Sequence, residues 1–399
     1  MIATRLAPAC AIAILILGAA PAARADSIFA LNLLGERVDV GDARVAALGG
    51  FVQTVDDSLG VLQYNPASLA WMKRFSFGVA GYFTTDKNES EELDRRSNGT
   101  TFTNLLFAFP LYRQVVTAGV GFRGRYDPDA EFSVPAVTSE GDPFNDNYER
   151  SGGLFAVPLT VAVDAGNYAK LGAFYSLERG KLEETWVKDF ESPNADAVSV
   201  RERVFKGHCF GGGFVARPVS RLSIGLTYES EIDYDVDVTE RHTSSVADTS
   251  STEPATLPAR MTLSASFRAS RDLTVFLGGS ICDFRDFEGI NFPSNRLARE
   301  EVAAVGFEYR LGSGRVPIRA SFRYEQLPYT IPDGEEITKF AFTIGSGRVM
   351  KRGRGKVDIA LQFANAGSVD KNTYSDRSVR FYLSITGSED WKRARDRRE

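Results

Sequence analysis

Few side chains in this chain are suited to acid–base, metal or nucleophilic chemistry. It has two histidines, His208 and His242, so a zinc centre with several histidine ligands is excluded. A Ser–His–Asp hydrolase would need one of them placed on a serine, and the sequence has no G-x-S-x-G nucleophile elbow or phosphate-binding loop. A lipid hydrolase using His208 is the least favoured class, and a structural His208 is preferred. We predict no catalytic residue, no metal site and no cofactor.

Two cysteines and two acid-rich stretches complete this inventory. Cys209 and Cys282 fall on the sixth and ninth predicted strands, and three strands at about 4.8 Å each is too far for a disulfide within one sheet. We interpret both as isolated thiols. The stretches Asp127 to Glu131 and Glu231 to Asp237 could hold divalent cations, because carboxylates bind hard cations. Solvated surface charge is the preferred interpretation.

The N-terminus has the pattern of an exported protein. Arg5 precedes the apolar run from Leu6 to Leu17, which has signal-peptide length and is too short to span a bilayer. Ala23-Arg24-Ala25 is a small-x-small cleavage site, so residues 1–25 are predicted to be a signal peptide, with a membrane anchor as the less favoured alternative. The net charge of −5 becomes more negative on cleavage. Nucleic-acid binding, which needs a basic face, is not expected.

Alternation of apolar and polar residues dominates the rest of the chain. Such a pattern gives a strand one apolar and one polar face. We count about fourteen such segments of roughly nine to twelve residues, joined by alternately short and long connections, and the long ones include residues 127–152, 183–199 and 240–257. This length and alternation are typical of membrane β-barrels, whereas soluble strands are shorter. Clear examples are Arg221 to Glu229, Arg260 to Arg268 and Ser378 to Thr386.

We therefore predict an all-β fold, a transmembrane antiparallel β-barrel over residues 73–387, with a soluble β-rich domain as the alternative. The even strand number places both barrel ends in the periplasm. A lipid-facing Lys or Arg at mid-bilayer costs roughly 2–4 kcal/mol, so Arg319, Arg323 and Arg380 are expected to face the lumen or lie near an interface. Residues 388–399 are charged and are predicted to be a solvated periplasmic tail.

The segment before the first strand contains the most specific motifs. Between Asp42 and Ala70 the chain carries Gly49-Gly50, the acidic pair Asp56-Asp57 and Asn65-Pro66-Ala67. Their order and spacing resemble the N-terminal hatch of the FadL-type transporters of long-chain fatty acids in the bacterial outer membrane. The close match covers roughly forty residues. Beyond them the resemblance is one of length and strand number.

The resemblance implies a plugged barrel that conducts apolar molecules. Residues 26–72 would be a hatch in the lumen, with a periplasmic extension as the alternative. In that family a hydrophobic ligand enters from the outside, reaches a pocket near the plug and leaves sideways through a gap in the wall. Phe29 could fill the pocket as an apolar N-terminal residue does in the family, or belong to a disordered terminus.

Two neighbouring strands carry residues that disturb a β-ladder. Gly119, Gly121 and Gly124 lie on the predicted third strand, and Pro158 lies in the middle of the fourth. Proline cannot donate a ladder hydrogen bond, and interior glycines mark bulges or bends. We predict a distorted patch that forms the lateral exit. The equally weighted alternative is that the glycines make room for the plug and Pro158 sits at a harmless bulge.

The sequence thus predicts a bacterial outer-membrane channel for passive uptake of a hydrophobic small molecule. Its expected partners are that ligand, outer-membrane lipid with lipopolysaccharide, and the barrel-assembly machinery. The tail after Phe381-Tyr382 weakens a simple terminal assembly signal. The alternative function is a non-transporting barrel that serves as a docking or shuttle partner of secretion or assembly machinery.

Overall fold

A computed structural model describes most of the chain. The described residues are 27–38, 41–51, 54, 59–60, 65–90, 94–112, 114–139, 141, 143–190, 196–243, 248–289, 296–311, 316–331, 334–350 and 353–389. The predicted signal peptide, Asp56, Asp57 and residues 390–399 of the predicted tail lie outside these residues.

Short elements precede the wall of the barrel. They are a 3-10 helix at Ile28–Leu31, strand β1 at Glu36–Arg37, helix α1 at Ala43–Ala47 and a second 3-10 helix at Pro66–Trp71. Two further short helices, a 3-10 helix at Phe284–Asp286 and α2 at Val369–Asn372, lie between wall strands. No helix in the described ranges combines the length and apolar content needed to cross a bilayer.

The remaining elements are strands of one sheet. They are β2 (Phe75–Glu89), β3 (Asp94–Tyr112), β4 (Val116–Asp127), β5 (Ala130–Val137), β6 (Pro143–Asp164), β7 (Ala169–Phe190), β8 (Ala197–Val219), β9 (Leu222–Glu229), β10 (Ile232–His242), β11 (Thr249–Leu257), β12 (Arg260–Arg268), β13 (Leu273–Asp283), β14 (Arg299–Leu311), β15 (Val316–Thr330), β16 (Glu336–Val349), β17 (Gly355–Gly367) and β18 (Ser375–Glu389).

The sheet closes on itself through an antiparallel seam between the last and first wall strands. There β18 pairs with β2 without a register shift, from Ser375↔Glu89 to Glu389↔Phe75. Three positions in the wall are each built from two consecutive segments: β4 with β5, β9 with β10, and β11 with β12. The described wall therefore has 14 strands and is antiparallel throughout, which confirms the predicted fold class.

Burial along β18 shows which side chains face the outside of the barrel and which face the lumen. Val379 and Phe381 are 42% and 40% exposed, whereas Arg380 and Tyr382 are 2% and 4% exposed. Arg319 on β15 is likewise buried. Apolar side chains therefore cover the outside, where hydrocarbon replaces water, and polar ones point inward. Closure leaves no free sheet edge in the hydrocarbon, where an unpaired backbone group is costly.

Several strands are longer than predicted. β6 and β7 have 22 residues and β8 has 23, although roughly 9–11 suffice to cross a bilayer. Much of the connections expected at 127–152, 183–199 and 240–257 is instead strand, because the alternation continues and cross-strand aromatic pairs support it. Tyr148 on β6 lies 5.1 Å from Phe132 and 5.2 Å from Trp186, between ring centroids. At the other end, β18 extends two residues into the predicted tail.

Candidate functional site

The Asn65-Pro66-Ala67 element attaches the N-terminal segment to the inner wall. Asn65 is fully buried, and its Oδ1 accepts a hydrogen bond from the Ala67 N–H at 2.9 Å. Its Nδ2 donates to the carbonyls of Phe214 and Leu226 at 3.2 and 3.1 Å, and these two residues face each other across β8 and β9. Pro66 opens the 3-10 helix, where a missing N–H costs nothing. One side chain thus caps a helix and holds it against two strands.

Gly49 and Gly50 end helix α1 and turn the chain. Both have positive φ, +90° and +89°, which glycine adopts without a Cβ penalty. The Gly50 N–H donates to the Val45 carbonyl at 2.9 Å. A Cβ on Gly49 would lie 2.7 Å from the Cβ of Ala304 on β14. This turn therefore requires glycine both for its conformation and for its close approach to the wall.

Ion pairs connect α1 to the wall on the side of β14, β15 and β17. Arg44 donates two hydrogen bonds to Glu308, at 3.0 and 3.1 Å. Glu308 also accepts from Arg319 at 2.9 Å, and Arg319 donates to Asp358 at 2.7 Å. All four side chains are at least nine-tenths buried. Buried charges persist only where they are paired and hydrogen-bonded, and this chain of contacts provides both.

Strand β1 adds a second set of ion pairs nearer the outer end. Glu36 accepts from Arg380 at 2.7 Å and from Lys339. Burial alone would raise the pKa of Glu36, but these two cations lower it to about 2. Arg37 donates to Glu300 on β14 at 3.0 Å. Together with the pairs around Glu308, these contacts form a layer of paired charges across the lumen, which we call the ion-pair layer.

On the opposite side of the lumen, side chains of different wall strands form ion pairs with one another. Arg125 donates to both oxygens of Glu178, at 3.0 and 2.7 Å, and to Glu229 at 3.0 Å. Arg123 also donates to Glu229, at 2.7 Å. An apolar molecule moving straight along the axis would have to separate such buried pairs, so the ion-pair layer opposes axial passage.

In the outer half of the lumen the N-terminus packs into an apolar cluster that borders charged side chains. Phe29 is 7% exposed, and its carbonyl accepts a hydrogen bond from the Tyr329 hydroxyl at 2.9 Å. Arg150 donates to the carbonyls of Ala30, at 2.9 Å, and Leu33. The cavity beside Phe29 has a volume of about 40 Å³. A ligand can therefore occupy this apolar region only if the N-terminal turn moves.

The residues of the predicted lateral exit lie together where a ladder is interrupted. Pairing between β4 and β6 runs to Val120↔Leu159 and resumes at Arg123↔Ala156. In that register Gly121 faces Pro158, which lacks the N–H that a regular ladder needs. A register shift follows between Gly124 and Tyr126, a bulge of the type that bends a strand.

A cavity of about 740 Å³ adjoins this interruption. Its inner side is lined by Val38 of the N-terminal segment, and its other lining residues include Phe102, Phe122 and Phe155. These phenylalanines are on the outward side of the alternation, with ring centroids 5.5 Å apart for Phe102–Phe122 and 5.0 Å for Phe122–Phe155. The cavity therefore extends from the N-terminal segment to the lipid-facing aromatic residues.

The three glycines on β4 have different neighbours. A Cβ on Gly119 would lie 2.7 Å from Leu69, and one on Gly124 would lie 3.1 Å from Val38. These two glycines make room for the N-terminal segment. A Cβ on Gly121 would instead lie 2.2 Å from the Leu105 carbonyl of β3. Observed contacts thus support both interpretations of the glycines, and the exit itself remains a prediction.

Histidines and cysteines occupy separate places. His208 is exposed on β8 and stacks on Tyr175, with ring centroids 6.2 Å apart. His242 contacts the Ser199 hydroxyl at 2.8 Å, also at an exposed site. Cys209 and Cys282 are buried free thiols, which confirms their interpretation as unpaired. Within the described ranges, no group of three or more His, Cys, Asp and Glu is placed to hold a metal ion.

The buried acids that pair with the arginines are not among the residues predicted from the sequence. Their signal was available, because each stands on the polar half of an alternating strand. The acids are Glu178, Glu229, Glu300, Glu308 and Asp358.

Solved structures with this fold include a Pseudomonas aeruginosa FadL homologue, with 11% identity, a TM-score of 0.63 and coverage of 88% of this chain and 99% of that chain. The Ralstonia pickettii toluene transporter TbuX has 15% identity, a TM-score of 0.61 and coverage of 88% and 99%. The Pseudomonas putida toluene transporter TodX has 14% identity, a TM-score of 0.59 and coverage of 89% of this chain and 99% of that chain. At these identities the likeness establishes the fold, which is that of the FadL-type barrels.

Sequence comparisons give one further match. The family model described as BamG matches residues 4–396. Curated protein sequences give no match.

Proposed function

The chain belongs to the BamG family and forms a β-barrel of the bacterial outer membrane, and on this premise we propose that it passively admits a hydrophobic small molecule and releases it sideways. The ligand class is fatty-acid-like or aromatic. The solved neighbours named as toluene transporters support this class. No covalent chemistry is involved, and the barrel acts as a channel.

One observation carries this proposal: the ladder between β4 and β6 is interrupted at Gly121 and Pro158, beside a cavity of about 740 Å³. An interrupted ladder needs fewer hydrogen bonds broken to widen. The cavity joins Val38 of the N-terminal segment to outward-facing phenylalanines and has charged residues elsewhere in its lining, such as Asp127 and Arg179, so an apolar molecule would leave along the phenylalanine side.

The route follows from the distribution of polarity in the lumen. Phe29 lies in an apolar cluster, whereas the ion-pair layer below it holds buried charges such as Glu308 and Arg319. A hydrophobic ligand that displaces Phe29 would lose favourable burial by continuing along the axis. It would keep that burial by turning towards Val38 and the β4–β6 interruption. Residues 26–72 would then act as the hatch.

The exit is tested by replacing the two residues that interrupt the β4–β6 ladder. We expect the double variant Gly121→Val, Pro158→Ala to fold and to take up radiolabelled laurate and toluene several-fold more slowly than the unmodified barrel. Folding is checked by heat-modifiable migration on gels. The matched control is Gly212→Val on β8, where a Cβ would meet its nearest atom at 3.5 Å. Undiminished uptake by a folded double variant would end the exit hypothesis.

Because a new Cβ at position 121 would lie 2.2 Å from the Leu105 carbonyl, the double variant can fail for reasons of folding. Pro158→Ala alone provides the second measurement. It removes no contact that the ladder uses and supplies the missing N–H. Reduced uptake with normal migration supports the exit, and uptake equal to that of the unmodified barrel contradicts it.

A second function is favoured by the filled lumen. With about 40 Å³ free beside Phe29, the barrel could instead dock secretion or barrel-assembly machinery without carrying a ligand. Native mass spectrometry of the detergent-purified barrel separates the two functions. A retained apolar molecule supports uptake, whereas an empty barrel that co-purifies stoichiometrically with a machinery subunit supports docking.

A further inference from the structure

A second large cavity lies at the end of the barrel where the wall strands have their short connections. Its volume is about 860 Å³. Short connections mark the periplasmic end of an outer-membrane barrel, so we call this cavity the periplasmic vestibule. It lies on the far side of the ion-pair layer from Phe29, because Arg44 and Glu308 form part of its lining. It is therefore separate from the proposed exit between β4 and β6.

Basic side chains dominate the lining of the vestibule. Among the described residues of its lining two are acids, and both are already engaged: Asp164 pairs with Lys73 at 2.7 Å and with Lys170, and Glu308 belongs to the ion-pair layer. Among the described residues, no carboxylate pairs with Arg221 or Arg268. The basic residues other than Arg44 are Lys73, Lys170, Arg217, Arg221, Arg268 and Arg310.

The vestibule also presents buried hydrogen-bonding groups that lack partners. Trp71 lines it and is 5% exposed, and its indole N–H has no hydrogen-bond partner among the described residues. The Thr54 hydroxyl belongs to a residue that is 2% exposed, and it also has no hydrogen-bond partner among the described residues. The Arg217 guanidinium lies 5.2 Å from the centroid of the Trp71 ring. A buried donor left unpaired is costly, and a bound acceptor would remove that cost.

We propose that the periplasmic vestibule binds the oxyanion head group, a phosphate or a carboxylate, of a single-chain amphiphile. Arginine forks match oxyanions in geometry and charge, and the Trp71 indole can donate one further hydrogen bond. Trp71, Phe276 and Val219 provide apolar surface for the start of an acyl chain. This assigns the barrel a second ligand site, which recognises charge where the exit recognises apolar surface.

Fluorescence of Trp71 provides the test. The full barrel carrying Trp186→Phe and Trp391→Phe has Trp71 as its one tryptophan, and it is titrated in an uncharged detergent with dodecyl phosphate, laurate, dodecanol and inorganic phosphate. We expect saturable changes with dodecyl phosphate and laurate, and none with dodecanol. The triple variant Arg217→Gln, Arg221→Gln, Arg268→Gln should bind dodecyl phosphate about tenfold or more weakly, because it loses charge-assisted hydrogen bonds.

The controls separate the sources of an oxyanion. Arg271→Gln with Arg348→Gln changes exposed arginines that do not line the vestibule and should leave the affinity unchanged. Equal affinity for inorganic phosphate and dodecyl phosphate would overturn the amphiphile. An equal response to dodecanol, or unchanged binding by a correctly migrating triple variant, would overturn the site. None of these measurements uses uptake, so failure of the exit and failure of this site are distinguishable.

Discussion

The wall of the barrel has two sectors that hold the N-terminal segment differently. From β13 to the seam of β18 with β2, the ladders run without interruption through the barrel core, with one shift near the outer end between Gln326 and Thr330. Between β2 and β6, the β2–β3, β3–β4 and β4–β6 pairings each contain a register shift, at Ala80/Gly81, at Pro110/Tyr112, and between Gly124 and Tyr126, whereas the outer β5–β6 pairing has none. We call these the regular sector and the irregular sector.

Their contacts with the N-terminal segment differ in the same way. The regular sector binds it through buried ion pairs, with Arg44 on Glu308 and Glu36 on Arg380. The irregular sector holds it through backbone pairing of β1 with β4, hydrogen bonds from Arg150 to the Ala30 and Leu33 carbonyls, and apolar contacts such as Leu69 on Gly119. The two sectors therefore hold the segment by different bonds, side-chain ion pairs in the regular sector and hydrogen bonds to the backbone with apolar contacts in the irregular one.

The largest effect is expected from removing Glu308, the acid that pairs helix α1 with the regular sector. Glu308→Gln leaves Arg44 and Arg319 without their shared carboxylate, and losing one partner of a buried ion pair costs about 3–5 kcal/mol. We expect a lower urea midpoint of unfolding in micelles. Glu301→Gln on the same strand is the control, since its side chain is 47% exposed and should change little. Equal midpoints for the two variants would contradict the anchoring role.

A pH titration should remove the second of these ion pairs, between Glu36 and Arg380. Glu36 has a folded pKa of about 2 against an ordinary value of 4.5, so its stabilisation, roughly 3 kcal/mol, is fully present above pH 4.5. It is lost as the pH falls through about 2, because the protonated acid no longer pairs with Arg380. Protease sensitivity of the N-terminal segment should rise over that window. In Glu36→Gln the segment should be sensitive at neutral pH and show no such rise.

A smaller effect is expected where the segment is attached to β8 and β9, which belong to neither sector. Asn65→Ala removes the hydrogen bonds to Ala67, Phe214 and Leu226, with an expected loss of about 1–2 kcal/mol. Amide exchange in the 3-10 helix Pro66–Trp71 should accelerate while that of the regular sector stays unchanged. Asn98→Ala, at an exposed contact with Thr85, is the control. Uniform acceleration would mean that this attachment and the regular sector are not independent.

The smallest effect is expected from repairing the β4–β6 ladder of the irregular sector. Pro158→Ala restores one N–H opposite Gly121, and a ladder hydrogen bond is worth about 0.5–1.5 kcal/mol net. We expect a slightly higher unfolding midpoint together with slower exchange of the Gly121 amide. A lower midpoint would show that Pro158 fits its local backbone better than a ladder residue does.

The sequence predicts the wall well because alternation is a local property. Each strand records its own inward and outward faces, so Val379, Arg380 and Phe381 could be oriented without knowing their neighbours. Strand lengths were underestimated, since the outer continuations of β6, β7 and β8 are stabilised by cross-strand partners such as Tyr148 and Trp186.

The candidate site was only partly predictable. Gly121 and Pro158 could be selected because their effect on a ladder is intrinsic to the residue. Their facing positions depend on register, which one strand alone does not record. The pairing of Glu36 with Arg380 joins residues 344 positions apart, and the periplasmic vestibule collects side chains from many strands. Such sites arise only when the barrel closes.

The ion-pair layer also has an electrical consequence. Its cations and anions neutralise one another at short range, as Arg319 does with Glu308 and Asp358, so a permeating ion would find no uncompensated counter-charge there and would have to shed hydration water. In a planar bilayer the barrel should therefore carry little salt current. A cell can then keep such a wide barrel in its surface without leaking solutes through it.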